Sequence, residues 1–367
     1  MNKELCQAFK TQPTSDGWEL QLLHYPANTR NKANTPVVLC HGLAANKNSC
    51  DFGDSGSKEW EQYSLAAYLS QGYDKDKISH DVWVIQLRGR GSDLTFKPKE
   101  HPKKYKWCFD DYVEKDIPTI LEFIQTYYQK KQHRKIKVLW VGKSMGGMIV
   151  YAYGQKLISY QTIKGVITIG SPAIFEYKNP LLELITRIAP RNISFPVNIS
   201  ELIQRIPEVD KAFRTFGVDP ENIKPEIFEL YLKIGMNNLI SSKIFNHFSV
   251  FFRHNTFCKY PRYPWLYDMF GYTKVLSSFF ITYDYKKNLN LFTHPLLAIA
   301  GYADKAAPPE DVKETVNRVK SKDKTYHLFS KKQGYKSNYG HLDLNLGIHA
   351  KNEVYPVIHK WLLQHGK

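Results

Sequence analysis

Along the first 170 residues, short apolar runs alternate with longer amphipathic stretches. Trp18 to Tyr25 follows an Asp16-Gly17 turn and reads as an early strand. Pro36 to Cys40 is continuously apolar, as a central strand buried on both faces should be. Val82 to Leu87, Ile136 to Val141 and Ile163 to Ile169 read as further strands. Tyr63 to Leu69 and Met145 to Lys156 read as helices. Asp110 to Lys130 carries Ile117, Ile120, Leu121, Ile124 and Tyr128 at helical spacing, with Pro118 early, where a missing N–H costs least. The alternation predicts a doubly wound, mostly parallel sheet.

The pattern breaks at about Pro172. Up to Leu291 the chain has many prolines, short helical stretches and dense aromatics, with 14 aromatic residues among the 38 of segment 248–285. Alternation then resumes: Pro295 to Ala300 (strand), Pro308 to Val319 (helix), Tyr326 to Phe329 (strand) and Val354 to Gln364 (helix). A single α/β core made of residues 1–172 and 292–367, interrupted by a mainly helical cap at 173–291, accounts for this order. The cap aromatics are expected to divide between the insertion's own core and the wall of a substrate pocket.

Composition narrows the picture in three ways. A hydrophobic fraction of 43% with 14% aromatics speaks for a packed core and against disorder. Cys6, Cys40, Cys50, Cys108 and Cys258 are odd in number and widely spaced, so they suggest neither a disulfide framework nor a zinc site. The formal net charge of +16, with basic clusters at Lys97 to Lys106 and Lys130 to Lys137, fits a solvated lysine-rich surface with transient contact to an anionic membrane. No helix-turn-helix, zinc-finger or RNA-binding signature accompanies that charge, which argues against nucleic acid as a partner. No apolar leader and no uncharged stretch of about 18 residues stands out, so a cytoplasmic location is expected, signal-independent export aside.

The chemistry centres on Gly142-Lys143-Ser144-Met145-Gly146, a G-x-S-x-G sequence between a buried strand and a helix. There the glycines let strand and helix crowd around a sharply turned serine. Asp304, in the loop after strand Pro295 to Ala300, is the expected acid. Glu310 and Asp311 sit in a first helical turn, where acids favour the helix dipole. His341, in the glycine-flanked loop after the last strand, is the expected base; His327 lies in a strand, and His359 and His365 lie on the last helix. The order Ser144, Asp304, His341 is that of a nucleophile, an orienting acid and a general base. The N–H groups of Leu43 and Met145 are the expected oxyanion donors. His41 is read as bonding the loop backbone. Nothing calls for a cofactor or metal.

These residues resemble the acid lipase branch of the α/β-hydrolases, the lysosomal and gastric lipases. The resemblance rests on His41-Gly42-Leu43, Asp81-Val82-Trp83-Val84 with Arg88-Gly89, and Trp107, Phe109, Asp110 and Asp116-Ile117-Pro118. The elbow and Gly340-His341-Leu342-Asp343 complete it. It implies an α/β-hydrolase fold, a lid over an acyl-chain pocket, esterase or lipase activity and no cofactor. Lys143 and Met145 stand where acid lipases usually have histidine and glutamine. The expectation is a serine hydrolase acting on a hydrophobic acyl ester, with no obligate protein partner. An acyltransferase or thioesterase would use the same triad, and a non-catalytic lipid- or protein-binding module is the reading from another class.

Overall fold

The computed structural model describes residues 5–73, 77–133, 135–177, 194–270 and 278–367. Its central sheet has eight strands: β1 (Gln7–Lys10), β2 (Gln21–Tyr25), β3 (Val37–Cys40), β4 (Val82–Ile85), β5 (Val138–Lys143), β6 (Ile163–Ile169), β7 (Leu296–Gly301) and β8 (Lys324–Phe329). Their order is β1-β2-β4-β3-β5-β6-β7-β8. From β4 to β8 every pairing is parallel, while β2 runs antiparallel to both of its neighbours. The doubly wound, mostly parallel sheet read from the alternation is therefore present. Strands β3, β4 and β5 are buried along their whole length, as their continuous apolar runs require.

The principal helices are α1 (Leu65–Gln71), α2 (Ile117–Gln132), α3 (Met145–Tyr153), α4 (Ile199–Arg205), α5 (Pro207–Gly217), α6 (Pro225–Ile234), α7 (Lys243–Arg253), α8 (Pro264–Phe270), α9 (Pro309–Arg318) and α10 (Ala350–His365). Helices α4 to α8 all fall between β6 and β7, in the segment read as a mainly helical insertion. Parts of that segment, including Tyr272 among its aromatics, lie outside the described residues.

Several boundaries differ from the sequence reading for local reasons. The helix expected from Tyr63 to Leu69 is two helices, because Ser64 leaves helical geometry and its hydroxyl accepts the Ala67 N–H at the start of α1. The helix expected from Asp110 contains a widened π turn, Tyr112–Asp116, directly ahead of Pro118. Strand β1 was not legible: only Phe9 is partly buried, so no apolar pattern marks it.

That π turn delivers Asp116 to a buried ionic cluster in the core. The Arg88 side chain is 1% exposed. Its Nε donates to Asp116 Oδ1 at 2.8 Å and its Nη1 donates to Asp16 Oδ2 at 2.7 Å, while its backbone N–H meets Asp116 Oδ2 at 3.0 Å. One guanidinium thus ties the Asp16 turn, the end of β4 and the start of α2, and the two carboxylates hold it firmly protonated. Arg88→Ala leaves Asp116 as a buried carboxylate without its cation. The expected loss is about 3–5 kcal/mol of stability, read as a lowered urea midpoint.

Candidate active site

The site is assembled at the carboxyl ends of the strands, where loops after β3, β5, β7 and β8 converge. Strand β5 ends at Lys143 and α3 begins at Met145, so Ser144 alone makes the turn, with φ 53° and ψ −120°. That conformation costs of order 1–3 kcal/mol for a residue with a side chain. It is held by the Ser144 N–H on Ile169 O (2.9 Å) and by the Gly147 and Met148 N–H groups on Ser144 O. The turn is possible because a glycine follows. A Cβ on Gly146 would stand 2.5 Å from Cys40 O and 2.8 Å from His41 O.

The acid and the base come from loops that are stitched together. Ala303 N–H donates to the carbonyls of Asn338 and Tyr339, which joins the turn after β7 to the stretch leading into His341. Asp304 is fully buried. Its Oδ1 accepts the Ala307 N–H at 2.7 Å and its Oδ2 lies 2.8 Å from His341 Nδ1. Gly170, at φ 57°, sits against this pair, and a Cβ there would come within 3.0 Å of Asp304 Oδ2 and 3.1 Å of His341 Nδ1. The imidazole keeps 13% exposure and, with Ser144, lines one cavity. Burial pushes its pKa below the ordinary histidine value, against the pull of Asp304. Four of the rival residues are engaged elsewhere. Asp311 accepts the Glu176 N–H, His327 meets Tyr335, His359 meets His80 and His365 meets Asp323.

The loop after β3 supplies the third side. Gly42 faces Ser144, so that a Cβ on it would lie 3.6 Å from Oγ. Among the described residues, no hydrogen bond engages the N–H groups of Leu43 or Met145. His41 accepts the Leu87 N–H on Nε2 at 3.2 Å. Its proton is then on Nδ1, which donates to Gly42 O at 3.0 Å. Burial pushes its pKa down to about 3, so the ring stays neutral and braces the loop backbone as the sequence reading expected.

The cavity over Ser144 is walled by apolar side chains, among them Leu43, Met148, Phe175, Phe213, Phe245, Phe248 and Phe252. The aromatics of segment 248–285 divide: Phe248 and Phe252 reach the cavity wall, Phe251, Phe257 and Tyr285 are core, and Trp265 and Phe279 are exposed. Two polar clusters elsewhere do not form comparable sites. Ser159 Oγ lies 2.9 Å from His294 Nε2, but both residues precede their strands, at the amino ends of β6 and β7, the end of the sheet opposite the elbow. Cys108, Asp110 and His247 could in principle hold a metal, yet both His247 nitrogens bond backbone, to Phe109 N–H and Cys258 O, and Asp110 accepts from Tyr260 and Tyr285.

Sheet order, elbow and converging loops together decide the architecture. The chain has the α/β-hydrolase fold. Residues 35–190 match the family described as alpha/beta hydrolase fold. Gastric triacylglycerol lipase of Bos taurus is 27% identical over 184 residues, 48% of this chain and 42% of the lipase, so the match spans less than half of that relative's length. An esterase from Exiguobacterium antarcticum superposes with a TM-score of 0.59 at 14% identity, covering 98% of this chain and 99% of its own. A soluble variant of the monoglyceride lipase of Saccharomyces cerevisiae gives 0.57 at 17%, covering 99% and 96%. The chain thus shares its fold with these esterases and lipases.

Lys143 and Asp343 are the site residues whose roles sequence reasoning did not assign. A charged residue closing the otherwise apolar run Val138–Lys143 was the available signal for the first. Asp343 was visible only as part of a motif, because its partners, the N–H groups of Asp219 and Gly340 and the Asn222 amide, are mostly remote in sequence.

Proposed function

We propose that the protein is a serine ester hydrolase that cleaves a carboxylic ester of a hydrophobic acyl group through an acyl-enzyme on Ser144. The observation that carries this reading is the 2.8 Å Asp304–His341 contact beside an elbow serine in one apolar cavity. Asp304 holds the His341 proton on Nδ1 and leaves Nε2 as the acceptor. His341 takes the Ser144 proton as Oγ attacks the carbonyl carbon, and the Leu43 and Met145 N–H groups receive the oxyanion. Collapse of that intermediate returns the proton to the departing alcohol. Water, deprotonated by the same imidazole, then releases the acid.

The apolar wall favours acyl groups over polar ones. In this reading residues 173–291 form the cap, and Phe175, Phe213 and, on α7, Phe245, Phe248 and Phe252 are among the side chains it gives to the acyl pocket. The basic surface favours transient contact with anionic lipid. All five cysteines are free, which suits a reducing compartment such as the cytoplasm. Among the described residues, no helix is long and apolar enough to cross a membrane.

Hydrolysis of p-nitrophenyl esters from acetate to palmitate tests the reading. The expected result is turnover that depends on Ser144, with kcat/KM rising from acetate to longer acyl chains. Turnover that survives Ser144→Ala, or none at any length, would overturn it.

A further inference from the structure

We infer that Lys143 is a positioning residue for His341: its ammonium, held on the carbonyl of His341, fixes that residue and keeps its imidazole in the proton-accepting form under mildly acidic conditions. The inference rests on the triad reading above. Lys143 is the last residue of β5, immediately before the elbow serine, and is 2% exposed. Its Nζ donates to His341 O at 2.6 Å. The charged groups that bear on it are the carboxylates of Asp304 and Asp343, with the Cys50 thiol, and those that bear on His341 are Asp304 and Lys143 itself. A buried ammonium is expensive to desolvate, and a neutral amide could make the same single hydrogen bond. What the lysine adds over such an amide is its charge.

The sign of the effect follows from the geometry. A cation held on the carbonyl of the same residue disfavours the protonated form of its imidazole. Burial lowers the Lys143 pKa to about 8, so the side chain remains charged at neutral and acidic pH, where His341 titrates. Lys143 therefore adds to burial in holding His341 neutral, and it opposes the upward pull of Asp304. Position and charge are separable because the loop has other anchors. Asp343 Oδ2 accepts the Gly340 N–H (2.8 Å) and the Asn222 amide (2.9 Å), its Oδ1 accepts the Asp219 N–H, and Leu342 N–H donates to Gly217 O. Losing the Lys143 hydrogen bond alone does not free the loop.

The test is the pH profile of kcat/KM for an ester in wild type, Lys143→Gln and Lys143→Met. Glutamine keeps a donor for His341 O without the charge, and methionine removes both. The expected result is an acid limb moved up by about one pH unit in both variants, or about tenfold less activity well below the limb. The plateau is retained within a few-fold in the glutamine variant and lowered further in the methionine variant. A lowered plateau with an unmoved limb would show a purely structural lysine and overturn the inference. Should neither variant fold, the wild-type His341 imidazole is titrated by NMR, with an apparent pKa below 6.5 expected and one at or above it contradicting the account. Ser144→Ala on the same pH grid separates the failures. Turnover indifferent to Ser144 removes the triad reading, whereas Ser144-dependent turnover indifferent to Lys143 removes only this inference.

Discussion

Ser144→Ala is expected to lower kcat for ester hydrolysis by about 10⁴–10⁶-fold with little change in KM. The hydroxyl is the one group for which no other residue at the site substitutes. His341 would still hold a proton acceptor in the cavity, and the Leu43 and Met145 donors would still face the carbonyl, so substrate binding and a residual rate of about 10³–10⁴ over water remain. Stability should stay within about 0.5 kcal/mol of wild type. The Ser144 turn is held through backbone groups, and among the described residues no hydrogen bond engages Oγ. A large loss of activity in a protein with an unchanged melting temperature is therefore the specific signature. A parallel loss of both would mean that the serine holds the elbow together instead.

Asp304→Asn should come next in size, at about 10⁴-fold in kcat, by a different route. The Ala307 N–H donates to Oδ1 at 2.7 Å and needs an acceptor there. The asparagine oxygen will occupy that place, which turns the amide NH₂ toward His341 Nδ1 in the position now held by Oδ2. Nδ1 must then accept, the imidazole proton moves to Nε2, and the nitrogen facing the cavity can no longer take a proton from serine. The fold is retained because size and the Ala307 bond are retained. Comparing kcat with the melting temperature separates the tautomer effect from misfolding, and unchanged kcat would show that Asp304 does not orient the base.

Much of this arrangement was legible because the sequence marks it locally. The run Pro36 to Cys40 is apolar throughout and Ile163 to Ile169 is rich in isoleucine and valine, and they became β3 and β6 with little change of boundary. The elbow is contiguous, so one motif brings its strand, its serine and its helix together. Asp304 and His341 stand in loops after strands, whereas Glu310 and Asp311 sit at a helix start and His327, His359 and His365 in a strand or on a helix, so local context favoured the first two. What escaped was whatever depends on distant partners or on weak burial. Strand β1 pairs with β2 at the edge of the sheet and packs a single side chain, Phe9, against the core. The π turn before Pro118 keeps the apolar spacing of a helix, so periodicity could not distinguish it. The Arg88 pairing with Asp16 and Asp116 joins residues 72 and 28 positions away. Lys143 could be noted as a charge at the end of a buried strand, yet its bond to His341 O spans 198 positions and appears only once the sheet is folded.

The most direct test of the central claim is covalent: reaction with a fluorophosphonate probe, followed by mapping of the modified peptide. The account predicts a single adduct on Ser144, formed faster as pH rises through the His341 titration and absent from Ser144→Ala. Failure of Ser144 to react while the folded protein remains intact, or an adduct on another serine such as Ser159, would contradict it.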